Sequence, residues 1–153
     1  MIARSNDAFS MLRGAIRSGL IKRKYLALVS GNLKTPLYLD APIAHHPKNP
    51  SKMIVGDEES GRRAITRVEP IRRVGDFTLV AVTPSTGVRH QIRVHLANAR
   101  FPIIGDELYG GPASDQLESA RFWLHLSELE FESPASGAAR VSAPLPHDLA
   151  QMI

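Results

Sequence analysis

Apolar residues near the start of the chain recur with a helical period. Ser5 is a suitable N-cap, and the period ends at Ser18 and Gly19. The apolar positions between them are Ala8, Phe9, Met11, Leu12, Ala15 and Ile16. The pattern predicts an amphipathic helix of about three to four turns, with Arg13 on its polar face.

The pattern then changes to the two-residue period of β-strands. Residues 22–30 combine a basic start with an apolar second half, which is typical of a strand that becomes buried on both faces. Residues 62–74 and 77–83 predict a hairpin with a tight turn between them. Pro70 in the first arm indicates a sheet edge or a bend, because proline cannot donate a ladder hydrogen bond.

The C-terminal third of the chain also predicts a hairpin. Residues 120–132 alternate between two faces, and residues 138–143 form the second arm of another hairpin after a turn at 133–137. Residues 144–148 predict a short terminal helix. Because no repeat or flexible linker divides the chain, we predict one α+β domain over residues 1–153, with a mixed, mainly antiparallel sheet and flanking helices.

A turn at residues 84–87 precedes a segment that is predicted to open a helix. Arg89 and Arg93 are four positions apart, so they would share one face of this helix. The free N–H groups at such a helix start favour anions. Two guanidinium groups beside them would suit phosphate or carboxylate recognition. A solvated basic helix face explains the same pattern equally well.

Composition restricts the chemistry that the chain can perform. A hydrophobic content of 43% with 22% charged residues is ordinary for a soluble globular protein. The absence of cysteine excludes disulfides, thiolate metal sites and a cysteine nucleophile. The adjacent His45 and His46 would seldom point at one ion, so we predict no metal site. Without an apolar run of membrane-span length, a cytoplasmic protein with no membrane association is expected.

The charge is divided unevenly along the chain. Residues 1–100 hold 17 Lys and Arg against 7 Asp and Glu, whereas residues 101–153 hold 2 against 8. Residues 1–100 therefore have a formal net charge of +10, and residues 101–153 have a formal net charge of −6. A concentrated basic region is the electrostatic pattern of a protein that binds a polyanion, and it favours nucleic acid as the partner.

Two sequence motifs indicate the kind of protein more closely than charge does. Residues 86–96 read Thr-Gly-x-x-His-Gln-Ile-Arg-Val-His-Leu, and residues 101–110 read Phe-Pro-Ile-Ile-Gly-Asp-Glu-Leu-Tyr-Gly. In this order and at this close spacing they resemble the signature of the RluA-type RNA pseudouridine synthases. Tyr25, with Ala27, Val29 and Gly31 at alternate positions after a basic run, resembles a second signature of that family. The resemblance extends over nearly the whole chain.

The resemblance implies a fold, a reaction and a partner. Members of the family have the pseudouridine synthase catalytic-domain fold, and they isomerise uridine to pseudouridine in RNA without a cofactor. We therefore expect rRNA or tRNA as the partner. The target nucleotide must leave its stack, because its C5 edge and its glycosidic bond are otherwise unreachable. RNA loops suit this chemistry, since their bases are already splayed and can stack on an aromatic side chain.

The resemblance also implies roles for individual residues. Tyr25 matches the family tyrosine that stacks on the target base and takes the C5 proton. Arg93 matches the basic residue that pairs with the catalytic aspartate and keeps it ionised, and Ile92 matches the apolar floor beside it. The other expected RNA-binding residues are Lys22, Lys24, Arg89, His90 and Gln91.

The chain departs from the family pattern at two points. The family nucleophile is an Asp in a His-Arg-Leu-Asp stretch that precedes the segment matching residues 1–5, and we find no equivalent Asp in these 153 residues. We therefore expect a catalytic domain that lacks its N-terminal part. The second departure is Thr-Gly-Val-Arg-His, where Thr-Gly-Arg-x-His is commoner, so the guanidinium of Arg89 is shifted by one position from the family arginine. Asp106 is expected in a loop that positions the helix, or exposed and in contact with RNA.

Three hypotheses follow from the departure at the nucleophile. In the first, the protein is longer and is a complete RNA pseudouridine synthase. In the second, the chain is a remnant that binds RNA without catalysis. In the third, it is an interaction subunit that associates through an open sheet edge with a partner chain. We favour the first hypothesis for the family, and the activity of the chain alone is left open.

Overall fold

A six-stranded sheet forms the centre of the structure, a computed structural model that describes residues 3–117, 121–133 and 137–153. The strands are β1 (Lys22–Ser30), β2 (Leu37–Asp40), β3 (Ile43–His45), β4 (Met53–Val55), β5 (Ile65–Val74), β6 (Phe77–Pro84), β7 (Leu124–Ser133) and β8 (Gly137–Ser142). The helices are α1 (Asn6–Arg17), α2 (Gln91–Asn98) and α3 (His147–Ala150), with a 3-10 turn at Glu107–Tyr109. The α+β class is confirmed.

The order of strands in the large sheet is β2-β5-β6-β1-β7-β8, and β3 and β4 form a separate two-stranded sheet. Every described strand pair is antiparallel. β1 and β6 lie in the middle of the large sheet, and their apolar residues form its core, including the fully buried Leu28, Val80 and Val82. β2 and β8 are the outermost strands, and association at such an edge stays a prediction.

Most of the predicted elements are present where the pattern placed them. β1 has the predicted bounds, and Ser5 caps α1 because its Oγ accepts a hydrogen bond from the backbone N–H of Ala8. Pro70 lies at a bulge of β5, beyond the last residue that pairs with β2, so the edge-or-bend prediction is confirmed. The turn of the second hairpin includes residues 134–136, which lie outside the described part of the chain.

The predicted start of the second helix is wrong. α2 begins at Gln91, and the preceding His90 has a left-handed backbone with φ of 56°. A left-handed residue breaks the helical period, so Arg89 lies before the helix. Arg89 and Arg93 therefore do not share a helical face. Within the described residues, no helix is long and apolar enough to cross a membrane.

A second hydrophobic cluster supports α2 from below. Ile43, Met53, Ala64, Val94 and Tyr109 are all buried in it. The cluster joins β3, β4 and the 3-10 turn to one face of α2, and the large sheet contacts the helix through β5 and β6. Because the second cluster and the large sheet both pack against α2, the position of this helix relative to β1 and β6 is fixed. A cleft lies between them.

Candidate active site

A cleft of about 160 Å³ opens between the start of α2 and β1. It brings together residues from three separate segments of the chain, 23–25, 84–93 and 124. Its polar lining consists of Arg23, Tyr25, Thr86, His90, Gln91 and Arg93, and its apolar lining of Pro84, Val88, Ile92 and Leu124. Tyr25, Arg93, His90, Gln91 and Ile92, predicted from the motifs, thus meet at one place.

Tyr25 lies in β1 opposite an irregularity in β7. The pairing of β1 with β7 shifts its register between Lys24 and Tyr25, because Ser127 is an extra residue of β7 at this point. Tyr25 itself remains paired with Val82 of β6. The Tyr25 side chain is partly buried and packs against the main core, so its ring has a supported position beside the open cleft.

Arg23 is a cleft residue that the sequence interpretation missed. Successive side chains of a strand point to opposite faces, and Arg23 lines the cleft with Tyr25. Lys22 and Lys24, which were chosen from the same basic run, are exposed and are not among the lining residues. Lys22 instead lies 3.7 Å from a carboxylate oxygen of Glu130. The alternation from Tyr25 was the signal that could have identified Arg23.

Arg93 is held by a bidentate ion pair with Asp106. Its Nε donates to Oδ2 of Asp106 at 2.7 Å, and its Nη2 donates to Oδ1 at 2.6 Å. The rings of Tyr109 and Phe122 lie 4.8 and 4.4 Å from the guanidinium carbon. Asp106 is only 1% exposed, so the predicted exposed carboxylate is wrong and its alternative, a residue that positions the helix, agrees with the structure. Such a pair orients Arg93 rigidly.

The ion pair leaves part of the guanidinium available. Nε and Nη2 of Arg93 bond to Asp106, and Nη1 makes no hydrogen bond within the described part of the chain. The side chain of Arg93 is 15% exposed, and it lines the cleft. Because a guanidinium has five N–H donors, Arg93 can accept a second anionic partner from the side of the cleft while Asp106 holds it from behind.

His90 is oriented by a hydrogen-bond chain that starts at the backbone of β4. The N–H of Met53 donates to the hydroxyl oxygen of Tyr109 at 2.9 Å, and that oxygen lies 2.8 Å from Nδ1 of His90. Tyr109 is buried, and its hydroxyl hydrogen has no other acceptor in the described structure. It is therefore placed to donate to Nδ1, and in this arrangement His90 is the neutral tautomer with its proton on Nε2.

Electrostatics also favour neutral His90. Burial lowers the pKa of His90 below its ordinary value of 6.5, and the positive charges of Arg93 and Arg89 lower it further. Burial likewise raises the pKa of the Tyr109 hydroxyl above its ordinary value, so this group remains protonated as a donor. The cleft thus has a neutral imidazole beside a permanently charged guanidinium.

Gln91 supports the cleft wall from inside the protein. It is buried, and its Oε1 accepts hydrogen bonds from the Thr86 hydroxyl and the Val88 N–H. Its Nε2 donates to the Ile65 carbonyl and the Thr66 hydroxyl. Both donors and both acceptor positions of the amide are therefore occupied. In this structure Gln91 ties the turn before α2 to β5, and its amide has no group left for an RNA contact.

Ile92 and Arg89 occupy different environments beside the cleft. Ile92 is 7% exposed and forms part of the apolar lining, as expected for a floor residue. Arg89 is exposed outside the lining, and its Nη1 lies 3.5 Å from the carbonyl of Pro50. Among the described residues, no group of three or more His, Cys, Asp or Glu side chains is arranged to hold a metal ion.

Comparison with known proteins identifies the family. Residues 1–98 match the family model described as RNA pseudouridylate synthase. The chain belongs to this family. The match includes β1 with Arg23 and Tyr25, and it includes α2 with Arg93.

Individual relatives and a solved structure agree with this assignment. The chain is 38% identical to ribosomal large subunit pseudouridine synthase D of Xanthomonas campestris, over all of the chain and 49% of that protein. It is 36% identical to an uncharacterized RNA pseudouridine synthase of Bacillus subtilis, over all of the chain and 53% of the relative. The chain thus spans about half the length of these relatives. Human RNA pseudouridylate synthase domain containing 1 shares the fold, with a TM-score of 0.77, 22% identity, and coverage of 94% of this chain and 62% of that one.

Proposed function

We propose that the cleft isomerises uridine to pseudouridine in RNA. The observation that supports this most strongly is the placement of Tyr25 and the Arg93–Asp106 pair around one small, open cleft with an apolar floor. An aromatic ring and an oriented guanidinium are the two groups that the family chemistry requires of this part of the fold. No cofactor takes part in the proposed reaction.

The RNA must present a single nucleotide to the cleft. At about 160 Å³ the cleft has room for a base but not for a stacked helix. The target uridine therefore has to be flipped out, at a cost of a few kcal/mol that stacking on an aromatic ring partly offsets. Tyr25 supplies that ring, and Ile92 and Leu124 supply the apolar walls around it.

Tyr25 acts as the base that completes the isomerisation. In the reaction the N1–C1′ bond of uridine breaks and a C5–C1′ bond forms, so C5 loses its proton and N1 gains one. No atom is lost or added overall. The Tyr25 hydroxyl oxygen accepts the C5 proton while its own O–H proton passes to solvent or to the released N1, so the phenol is neutral before and after the step. This assignment needs the hydroxyl group, whereas stacking needs only the ring.

Arg93 acts as the electrostatic partner of the catalytic carboxylate. The Nη1 edge of Arg93, free of Asp106, receives the nucleophilic aspartate of the assembled enzyme and keeps it ionised. Asp106 lies behind Arg93 and is buried, so it does not reach the substrate. Its role is to orient Arg93. His90, Arg89, Lys22 and Lys24 are proposed RNA contacts around this centre.

Large-subunit rRNA is the proposed substrate, with tRNA as the alternative class. The relative from Xanthomonas campestris is named a ribosomal large subunit pseudouridine synthase, and a relative from Nitrosomonas europaea, 33% identical, has the same name. The basic balance of residues 1–100 fits a highly charged RNA target. An enzyme of ribosomal RNA would act in the cytoplasm, which is the proposed location.

The test is pseudouridine formation in unmodified large-subunit rRNA. We expect the longer protein of the first hypothesis, which carries the nucleophilic aspartate, to convert uridine in this RNA, measured by nucleoside chromatography after digestion, and to release tritium from uridine labelled at C5. Transcribed tRNA is the comparison substrate. RNA binding without any conversion would instead support the second hypothesis, a non-catalytic RNA-binding protein. Conversion only after addition of a partner chain would support the third.

A further inference from the structure

We propose that Arg23 forms an oxyanion subsite of the cleft, which takes a phosphate group of the RNA next to the flipped uridine. This inference rests on the proposed function and assigns a role to a residue of the basic run before Tyr25 for which the resemblance implied none.

The guanidinium of Arg23 is fixed at the cleft by a single contact. Its Nη2 donates to the carbonyl of Thr86 at 2.7 Å, in the turn that leads to α2. The contact joins β1 to this turn across the cleft, so the side chain is ordered before any ligand binds. An ordered guanidinium loses less conformational entropy on binding an oxyanion than a free surface lysine does.

The remaining donors of Arg23 have no partner in the described structure. The Nε–H of Arg23 is buried and makes no hydrogen bond there. A guanidinium has five N–H donors, so donors of Arg23 remain for an anion in the cleft besides the one that bonds to Thr86. None of the ion pairs between described residues includes Arg23.

The charge balance of the cleft singles out the same residue. The lining contains two guanidinium groups and no carboxylate. Asp106 neutralises Arg93 from behind, and His90 is neutral, so Arg23 supplies the uncompensated positive charge of the lining. Two oxygens of a phosphate group can accept parallel N–H bonds from one guanidinium, and RNA places a phosphate on either side of every flipped base.

Salt dependence of RNA binding distinguishes this role from a structural one. Each phosphate that a protein neutralises on a single strand contributes about −0.7 to the slope of log K against log salt concentration. We expect Arg23→Gln to weaken the binding of a short uridine-containing single-stranded RNA and to reduce the magnitude of this slope by about 0.7. Arg23→Lys keeps the charge, so it should retain the slope with an intermediate affinity.

Arg72→Gln is the matched control, because it removes the same charge from an exposed position of β5. Arg72 pairs with Leu79, whereas the cleft residue Pro84 lies five positions further along β6, roughly 17 Å away. Its slope should equal that of the parent protein. Thermal unfolding of each variant is measured alongside, and Arg23→Lys provides the comparison if Arg23→Gln is unstable.

The outcomes separate this inference from the proposed function. A parent protein that binds RNA, together with an Arg23→Gln variant that keeps the full slope and affinity, would overturn the phosphate subsite alone. Equal losses in Arg23→Gln and Arg72→Gln would also overturn it, since the effect would then be general charge. A parent protein that neither binds nor converts RNA would overturn both proposals.

Discussion

The carboxylate of Asp106 has no access to the cleft, yet the position of Arg93 depends on it. The two side chains share two short hydrogen bonds, so the buried carboxylate occupies two of the five N–H donors of the guanidinium. Removing one partner of a buried ion pair leaves the other charge without compensation. The position of Arg93 in the cleft therefore depends on a buried residue that lies outside the cleft lining.

This dependence leads to a prediction for Asp106→Asn. The substitution keeps the size of the side chain and removes its charge, so we expect a loss of stability of about 3–5 kcal/mol in denaturant unfolding, together with a fall in conversion rate. Asp76→Asn is the control, because Asp76 is 97% exposed and its nearest ion-pair distance is 3.9 Å. If both variants unfold at the same denaturant concentration, the ion pair does not support the site.

The hydrogen-bond chain to His90 gives a second prediction. In Tyr109→Phe the Nδ1 of His90 loses the donor that favours the neutral imidazole, so the pKa of His90 should rise from its lowered position. The measurement is an NMR titration of the His90 ring protons in both proteins. An unchanged or lower pKa in the variant would show that the tautomer is not set by Tyr109.

At the scale of elements, the loop that carries Asp106 is held in place by a close backbone approach. The N–H of Gly111 donates to the carbonyl of Asp106 at 2.8 Å. A Cβ at Gly111 would lie 1.8 Å from the carbonyl oxygen of Ile103, which is far inside van der Waals contact. Only glycine permits this packing, so the loop that orients Arg93 depends on Gly111.

We therefore expect Gly111→Ala to destabilise the protein strongly and to reduce conversion, because the loop from Ile103 to Gly111 must shift. The matched substitution is Gly14→Ala in α1, where a Cβ would meet no atom within 4 Å. Alanine in this helix should be neutral or stabilising, by up to about 1 kcal/mol. Thermal unfolding compares the two. A Gly111→Ala variant as stable as the parent would contradict the packing argument.

α2 also contains a buried histidine that links pH to stability. His95 is 2% exposed, and its nitrogens lie 2.8 Å from the Thr66 hydroxyl and 3.0 Å from the Ala41 carbonyl. Burial lowers the pKa of His95 below its ordinary value of 6.5. As pH falls, the unfolded chain therefore takes up a proton at this residue before the folded protein does, and folding stability decreases.

The prediction is a loss of thermal stability as the pH is lowered from about 7.5 to about 5.5, with a smaller loss in His95→Gln. The glutamine cannot titrate, and it can still form hydrogen bonds at this position. His45→Gln, at an exposed position, should retain the pH dependence of the parent. An identical dependence in His95→Gln and the parent would exclude His95 as its source.

The elements that the sequence predicted well are those defined by local periodicity. β1, the hairpin of β5 and β6, and α1 with its Ser5 cap each follow from neighbouring residues. The start of α2 did not, because the left-handed backbone of His90 breaks the helical period just before Gln91. Burial of Asp106 was also missed, since its partner Arg93 lies 13 positions earlier and only the tertiary fold brings them together.

Only part of the cleft lining was predicted, because a motif does not show which side chains the tertiary fold brings to the cleft. Tyr25, Arg93 and Ile92 were found through the motifs, whereas Arg23 could have been found from strand alternation alone. Gln91 is in the motif and at the cleft, yet its amide bonds to the protein on every side. A motif identifies which residues belong together, but it does not distinguish a side chain that faces a ligand from one that supports the fold.

At the scale of the whole molecule, the basic part of the chain also forms most of the cleft. The basic balance of residues 1–100 coincides with the segments that form the cleft, including β1, the turn before α2 and α2 itself. β7 contributes Leu124 to the cleft. The carboxylates of Glu128 and Glu130 lie further along this strand, where both pair with Arg140 of β8. Glu130 also lies near Lys22. We therefore expect bound RNA to contact the basic segments and not the hairpin of β7 and β8, which carries these carboxylates.

The most direct test of the proposed function is a single-turnover comparison on unmodified large-subunit rRNA, between the longer protein of the first hypothesis, which carries the nucleophilic aspartate, and its Tyr25→Phe variant. Pseudouridine formation and RNA binding are measured on the same samples. The proposal predicts that Tyr25→Phe binds the RNA about as well as the parent, since the ring remains, and that conversion falls at least about 100-fold, since the proton acceptor is gone. Conversion by Tyr25→Phe at the parental rate would contradict the assignment of this cleft as the catalytic centre.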